Sequence, residues 1–403
     1  MGHVSHIFTE HVYDGENKSV LHNRLVEIQH GRIAKIEKAE PNAEYGDEVL
    51  RATILAPGFI DIQINGAGDV MFNDFPQIRS LETICRAARE GGTAHILPTF
   101  TTAPDQSFVL ALDAVRAALE ADLPGILGVH IEGPFLSPEK PGIHPANCIR
   151  PITENDITAL LRPMPGVKLI TLAPERQRPG ALKALSEAGW IVFAGHSNAT
   201  AQDMQQAQRQ GLSGATHLFN AMSQITVREP GVAGFTMTNP DMFAGIIADG
   251  HHVHPLNARM AYDLMGPDRL LLVSDAMQTL AGKSKEFHMA GNRITLQNGK
   301  LVDANGTLAG AHLAIDNAVQ YVVNILGVPI SDAIKMASSA PAAALGLQAE
   351  LGKIMPGYRA SFTLLDQKLS AQSVMVDGVF FETERVSVES PLTEKYGGLG
   401  GHY

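Results

Sequence analysis

Cysteine is scarce in this sequence of 403 residues, which has only Cys85 and Cys148. Two cysteines cannot form the disulfide framework of a small secreted protein, and they fit a reducing compartment. Long apolar runs are also missing, since no stretch reaches the roughly 18 residues that would span a bilayer. The first ten residues carry two histidines and lack the apolar segment of a secretory signal. We therefore expect a cytoplasmic protein with no membrane partner.

Positive charge is in short supply as well. The chain has 31 Lys and Arg against 42 Asp and Glu, a formal net charge of −11. This balance argues against a nucleic acid or an anionic membrane as partner. An anionic ligand would have to be bound by a few well-placed Arg or His side chains. The share of hydrophobic residues, 45%, is that of a globular protein.

The order of strand-like and helix-like segments predicts one large domain and one small one. Residues 1–55 and 346–386 contain short strands separated by turn residues, and the C-terminal part is too short to fold alone. We expect them to form a single small β-sandwich domain built from both chain ends. Residues 387–403 are rich in glycine and are predicted to be a flexible tail.

Residues 56–345 have a different pattern, in which most short apolar segments are followed by a helical stretch. Eight such segments in series predict a (β/α)₈ TIM barrel and place the chain in the α/β class. The segments are Phe59–Ile64, His95–Phe100, Ile126–Ile131, Lys168–Leu172, Ile191–Ala194, Gly214–Leu218, Phe243–Ala248 and Leu270–Val273.

Metal-binding and acid–base side chains collect where these segments end. Functional residues of a TIM barrel lie at the C-terminal ends of its strands, so the test is whether such side chains gather there. Six of the eight ends carry them, which coincidence would rarely produce. They include Asp61, Gln63 and Asn65; His130 and Glu132; His196; His217 and Asn220; Asp249, His251 and His252; and Asp275.

Two histidines and one carboxylate in this collection suit a divalent metal. Glu132, His196 and His217 match the ligand types of Zn²⁺ and leave a position open for water, although Fe²⁺, Co²⁺ or Mn²⁺ would also fit. Asp275 is the carboxylate at the eighth strand end. It is predicted to accept the proton of the attacking water and to deliver it to a leaving group. A role as a second metal ligand is the alternative for Asp275.

Several motifs carry a resemblance to a known family. They are Pro57–Asp61, His130–Pro134, Gly195–Thr200, Thr216–Met222, Arg228–Gly231 and Ile247–Gly250. With them the chain resembles the amidohydrolase superfamily from about residue 54 to 382, and within it the deacetylases of N-acetyl amino sugar phosphates. The resemblance implies metal-dependent hydrolysis of N-acetylglucosamine 6-phosphate to glucosamine 6-phosphate and acetate. The galacto epimer is an alternative substrate.

One position departs from the wider superfamily. Most of its members carry His-x-His at the end of the first strand, where a second metal binds, and this chain has Gln63 and Asn65. Neutral amides are poor ligands for Zn²⁺. The resemblance therefore implies one metal per subunit on Glu132, His196 and His217. The two amides are expected to hydrogen-bond water or ligands.

The resemblance also implies substrate contacts. His144 would contact the sugar and its acetyl carbonyl, and Arg228 and His252 would bind the phosphate. Arg228 is expected to come from the neighbouring subunit of a homodimer. The implied set is Gln63, Asn65, Gly142, Ile143, His144, Asn220, Ala221, Arg228, Asp249, His252, Leu308, Ala309 and Gly310.

Two other classes of function compete with this reading. Another amide hydrolase of the same fold, acting on a cyclic amide or a dipeptide, would usually carry the first-strand His-x-His and often a carboxylated lysine. Neither is visible in this chain. A non-catalytic binding protein on the same barrel would be expected to lose metal ligands, whereas Glu132, His196 and His217 are all present.

Overall fold

The computed structural model describes residues 4–41 and 49–383. The tail predicted at residues 387–403 lies outside the described residues, as do the last three residues of the predicted C-terminal part, 384–386.

An eight-stranded parallel sheet forms the centre of the molecule, and the predicted barrel is confirmed. Its strands are paired in chain order. They are Phe59–Ile64, Thr93–Thr101, Gly128–Glu132, Val167–Leu172, Trp190–Ala194, Leu212–Ala215, Phe243–Ile246 and Leu270–Leu272. The first and eighth strands meet because the Asp275 amide donates to the Gln63 carbonyl at 2.9 Å, and the Asn65 amide donates to that of Ala276 at 2.9 Å. This seam places the residues that follow both strands side by side.

Helices surround the sheet and hold the strand ends in position. They are Ile78–Arg89, Phe108–Glu120, Glu154–Leu160, Ala181–Glu187, Ala201–Gln208, Gly231–Thr238, Pro255–Met265, Ile315–Asn324, Ile330–Ala337 and Ser339–Ala344, with 3₁₀ turns at Ala146–Cys148 and Pro174–Arg176. The helix Ala201–Gln208 begins at a capping box, in which Thr200 accepts from the Asp203 amide and Asp203 accepts from that of Thr200. Such a box satisfies helix-terminal N–H groups that otherwise lack partners. It fixes the start of this helix at Ala201, five residues after His196.

A second sheet combines both ends of the chain. Its order across the sheet is Val379–Glu382, Ala371–Val376, Phe362–Leu365, Val49–Pro57, His6–Val12, Leu21–Gln29 and Arg32–Lys38. Phe362–Leu365 pairs antiparallel with Val49–Pro57, which joins the C-terminal strands to the N-terminal ones. These strands form one continuous seven-stranded sheet around an apolar core that includes Val26, Leu55 and Phe362. The boundaries at residues 55, 345 and 386 remain predictions.

Four short strands between the eighth barrel strand and its helix were not predicted. They are Glu286–Met289, Asn292–Gln297, Lys300–Val302 and Leu308–Ala311, and they form an antiparallel sheet. The Ala311 amide donates to the Asp275 carbonyl at 2.9 Å. The last strand of this inserted sheet is therefore held against the end of the eighth barrel strand. A two-stranded ribbon, Gly66–Ala67 with Val70–Met71, follows the first barrel strand.

Within residues 4–41 and 49–383, no helix combines the length and the apolar character needed to cross a membrane.

Candidate active site and metal centre

Three side chains that could hold a metal ion converge at the C-terminal end of the barrel. Glu132 closes the third strand, and His196 and His217 follow the fifth and the sixth. His217 Nε2 lies 3.0 Å from Glu132 Oε1 and 3.0 Å from His196 Nε2, and His196 Nε2 lies 3.3 Å from Glu132 Oε1. Tetrahedral ligands at about 2.0–2.1 Å from Zn²⁺ would be roughly 3.3 Å apart. The three atoms therefore have the spacing of a ligand set.

The tautomer of His196 also fits a metal ligand. Its Nδ1 lies 3.0 Å from the Lys140 carbonyl oxygen, so this nitrogen carries the proton and donates it. Nε2 is then left with a lone pair that points toward Glu132 and His217. Gly142 lies against the same ring: a Cβ at this position, where φ is +56°, would be 3.1 Å from His196 Cε1. The loop of Lys140 and Gly142 thus orients His196 and leaves room for it.

The charges of these groups are strongly linked. Burial alone would raise the pKa of Glu132, but its contacts with His196 and His217 hold it well below its usual value. Burial alone would lower the pKa of His217, but the hydrogen bond to Glu132 and its charge raise it. Glu132 is thus an anion that attracts a positive charge between the rings. A divalent cation would occupy this position.

Left-handed backbone recurs among these residues. The φ angles are +47° at His196, +34° at His217 and +47° at Asp275. Residues other than glycine seldom adopt this region, and each such residue costs of the order of 1–3 kcal/mol. This unfavourable conformation recurs where three different strands end, and it directs each side chain into the barrel mouth.

Asp275 is held by the two amides that stand in place of the first-strand histidines. Asn65 Nδ2 donates to Asp275 Oδ1 at 2.7 Å, and Gln63 Nε2 donates to the same oxygen at 3.2 Å. Gln63 Nε2 also lies 3.3 Å from each oxygen of Glu132. Burial, with repulsion from Glu132, raises the pKa of Asp275 to about 6. The amides thus bind the carboxylates of the site, a contact that the sequence did not reveal.

His144 stands beside the metal-binding group. Its ring centroid lies 4.3 Å from that of His196, and its Nδ1 lies 2.7 Å from Thr102 Oγ1. Burial, with the neighbouring His196 and His217, lowers the pKa of His144 to about 3. The ring is therefore neutral near pH 7. Thr102 follows the second barrel strand and was not singled out from the sequence, in which a lone threonine gives no signal.

Of the two predicted phosphate-binding residues, His252 is held by a hydrogen bond to Asp249, whereas Arg228 is exposed on a loop. Asp249 Oδ2 accepts from His252 Nδ1 at 2.7 Å, and Asp249 Oδ1 accepts from the backbone amides of His251 and His252 at 2.8 and 2.9 Å. Asp249 thus orients His252 and leaves its Nε2 available. Arg228 lies on an exposed stretch of the loop after the sixth strand.

The remaining predicted contacts surround Asp275 and His217. The strand Leu308–Ala311 lies beside Asp275, and its Ala309 joins an apolar cluster that Ile143 contacts. The other cluster members are Met71, Met277, Phe287, Ile294 and Leu301. Asn220 is tied to the backbone after the sixth strand, since its Nδ2 lies 3.3 Å from the His217 carbonyl oxygen. The Ala221 carbonyl accepts from the Ser197 amide at 3.1 Å, which links the loops that carry His196 and His217.

Comparisons with known proteins agree with this geometry. The model of the amidohydrolase family matches residues 54–386. An N-acetylgalactosamine-6-phosphate deacetylase from Shewanella sp. is 38% identical, with 88% of this chain and 90% of that protein covered. An N-acetylglucosamine-6-phosphate deacetylase from Haemophilus influenzae is 35% identical over 86% of this chain and 92% of its own length. The crystal structure of N-acetylglucosamine-6-phosphate deacetylase from Pasteurella multocida has a TM-score of 0.89 at 33% identity, covering 94% of this chain and 99% of that one. On the strength of the matched residues and of the barrel that carries them, the chain belongs to the amidohydrolase family.

Proposed function

We propose that this protein hydrolyses the acetamide of an N-acetylhexosamine 6-phosphate and releases acetate and the amino sugar phosphate. N-acetylglucosamine 6-phosphate is the first candidate substrate. The observation that carries the proposal is the convergence of Glu132, His196 and His217 beside a buried, amide-held Asp275. Relatives named as deacetylases of both the gluco and the galacto substrate support the substrate class. The galacto epimer is therefore the second candidate. We also propose a cytoplasmic location, because both cysteines are free thiols.

The chemistry can be assigned to the side chains of the site. Glu132, His196 and His217 would hold a divalent ion, for which Zn²⁺ is our first choice, and this ion would supply Lewis-acid activation of water and of the acetyl carbonyl. Asp275 accepts a proton from the attacking water as the new C–O bond forms. The carboxyl group then delivers this proton to the amide nitrogen as the C–N bond breaks. The products are acetate and a free amine.

His144 is proposed to stabilise the charge that develops on the acetyl oxygen. Its ring is neutral and lies against the ligand His196, so an N–H at Nε2 can donate a hydrogen bond near the metal. A donor aimed at such an oxygen is typically worth roughly 10²–10³ in rate.

Replacement of His144 by glutamine, His144→Gln, should accordingly lower kcat by roughly 10²–10³-fold and change KM less. Steady-state kinetics check this, and a variant in which only KM changes would reduce His144 to a ground-state contact.

We propose that each subunit binds a single catalytic metal. Where a second ion would need histidines, Gln63 and Asn65 present N–H groups to carboxylates, and an N–H group repels a cation. Elemental analysis of metal-replete protein should find one tightly held ion per chain. Two ions per chain, both required for activity, would contradict the proposal.

A shared active site in a homodimer is proposed for phosphate binding. Because the chain has a net charge of −11, long-range attraction does not favour an anion, so short charge-assisted hydrogen bonds have to hold the phosphate. Arg228 has the planar donor group suited to this task. Next to it Ile225 and Val227 expose 51% and 96% of their surface, and Leu256, Met260 and Leu264 line the exposed side of the helix Pro255–Met265. Exposed apolar side chains are one mark of a protein interface, and we propose a second copy of this chain as the partner.

Mixing two inactive variants tests the shared site. Subunits with Arg228→Ala and subunits with Asp275→Asn should each have low activity alone. In a mixed dimer with crossed arginines, one site carries both lesions and the other carries neither, so activity should recover to about a quarter of the wild-type value at equal mixing with random exchange. Mixtures of each variant with itself serve as controls. If verified subunit exchange restores nothing, Arg228 does not reach the neighbouring site.

A substrate panel tests the proposed reaction against its rivals. We expect acetate release from N-acetylglucosamine 6-phosphate or its galacto epimer, and none from a cyclic amide such as dihydrouracil or from a dipeptide. Nuclear magnetic resonance identifies the amino sugar phosphate as the second product. Hydrolysis of the cyclic amide or the dipeptide, with both sugar phosphates untouched, would replace the proposed function by that of another amide hydrolase.

A further inference from the structure

The hydroxyl group of Thr102 contacts one nitrogen of the His144 ring. Thr102 follows the second barrel strand and is buried, with 5% of its surface exposed, and its Oγ1 lies 2.7 Å from His144 Nδ1. An imidazole with one proton can carry it on either nitrogen, and the partner of one nitrogen decides the state of the other. The identity of the donor in this contact therefore controls the chemistry at Nε2.

Hydrogen-bond satisfaction identifies the donor. Among the described residues, His144 Nδ1 is the only hydrogen-bond partner of Thr102 Oγ1. If Nδ1 donated its proton to Thr102, the hydroxyl hydrogen would be buried without an acceptor, which costs about 1–3 kcal/mol. If the hydroxyl donates, both groups are satisfied. Nδ1 is then the acceptor, and the ring proton resides on Nε2.

The surrounding backbone is shaped to keep this hydroxyl in place. Gly133 follows the ligand Glu132 with φ at +91°, and a Cβ there would lie 2.1 Å from Thr102 Oγ1. The absence of a side chain at Gly133 leaves the space that the hydroxyl occupies. On the other side, the His144 amide donates to the Pro141 carbonyl at 3.0 Å, and the ring lies against His196. His144 is thus held from three directions, and Thr102 supplies the polar contact.

We propose that Thr102 is a positioning residue that fixes His144 as the tautomer protonated on Nε2, so that this nitrogen acts as a hydrogen-bond donor in the active site. The catalytic consequence rests on the function proposed above, in which His144 donates to the acetyl oxygen. The assignment of the tautomer does not rest on that function, because it concerns the protein without substrate. A threonine that merely filled space would leave the ring free to adopt either form.

Nitrogen-15 spectroscopy of the histidines, on protein loaded with diamagnetic Zn²⁺, tests the tautomer directly. The signals of His144 are assigned by their loss in His144→Gln. In the wild type, Nε2 should give the signal of a protonated ring nitrogen and Nδ1 that of an unprotonated one. In Thr102→Val, which keeps the shape and removes the hydroxyl, the two signals should move toward a mixture. A wild-type ring protonated on Nδ1 would overturn the proposal.

Kinetics provide the second arm, with Thr102→Ser as the matched control that keeps the hydroxyl. Thr102→Val should lower kcat roughly 10–100-fold, by analogy with the loss of groups that orient metal-ligating histidines, with little change in KM. Thr102→Ser should stay within about threefold of the wild type. An unchanged kcat in the valine variant, or an equal loss in the serine variant, would refute the role. If the spectra are as expected but no acetylated sugar phosphate is hydrolysed, the proposed function fails while the tautomer assignment stands.

Discussion

Replacing Asp275 by asparagine should lower kcat by about 10⁴-fold while the protein keeps its metal and its affinity for substrate. Asparagine preserves the shape of the side chain but cannot take up the proton of water. General acid–base catalysis typically contributes 10²–10⁴-fold, and Asp275 serves both as base and as acid in the proposed reaction, so the top of this range applies. Steady-state kinetics, with metal analysis of the same preparation, measure the effect.

The matched control is Asp249→Asn, the same chemical change at the end of the seventh strand. Asp249 orients His252 through a 2.7 Å contact and has no proposed part in proton transfer, so this variant should mainly raise KM. Near-normal turnover in Asp275→Asn would exclude Asp275 as the proton carrier. Loss of the metal in that variant would instead support the alternative that Asp275 is a metal ligand.

Replacing His217 by glutamine should abolish tight metal binding and lower activity by the order of 10⁴-fold. His217 Nε2 lies 3.0 Å from both Glu132 Oε1 and His196 Nε2, so it occupies the centre of the ligand group. Metal activation is worth several kcal/mol, and each 1.36 kcal/mol corresponds to a tenfold change in rate. Elemental analysis and kinetics of the purified variant check both effects.

His288→Gln is the control for this substitution, because His288 is an exposed residue of the inserted sheet, at a distance in sequence from every proposed ligand. It should retain metal and activity. A His217→Gln protein that still holds one tightly bound ion and turns over normally would show that the metal, if one is needed, binds elsewhere.

The barrel could be predicted from the sequence because its signals are local and repeated. Each of the eight strands was predicted to within a few residues, since short apolar runs alternate with helical stretches. The same regularity predicted which side chains meet at the barrel mouth, because the ends of parallel strands all lie at one edge. Glu132, His196 and His217 come together for this reason.

The contacts between loops could not be predicted in this way. The hydrogen bonds from Gln63 to Glu132 and Asp275 join positions that are 69 and 212 residues apart, and no local pattern encodes them. The hydrogen bond between Thr102 and His144 joins positions that are 42 residues apart, and no local sequence pattern indicates it either. The inserted sheet did have a local signal, because Asn298 and Gly299 form a turn with φ at +50° and +79° between two of its strands. Asn-Gly is a strong hairpin indicator, but this single signal is weaker than the eightfold repeat of the barrel segments.

The specificity constant for N-acetylglucosamine 6-phosphate, compared with that for N-acetylglucosamine without the phosphate, tests the central claim most directly. The same comparison with the galacto pair covers the second candidate substrate. Metal-loaded protein should release acetate and free amine in equal amounts from one of the phosphorylated sugars, at least about 100-fold more efficiently than from its unphosphorylated counterpart. Each charge-assisted hydrogen bond to the phosphate contributes about 1.5–3 kcal/mol, so two of them suffice for this ratio. Equal efficiency with and without the phosphate, or no acetate from either phosphorylated epimer, would contradict the account.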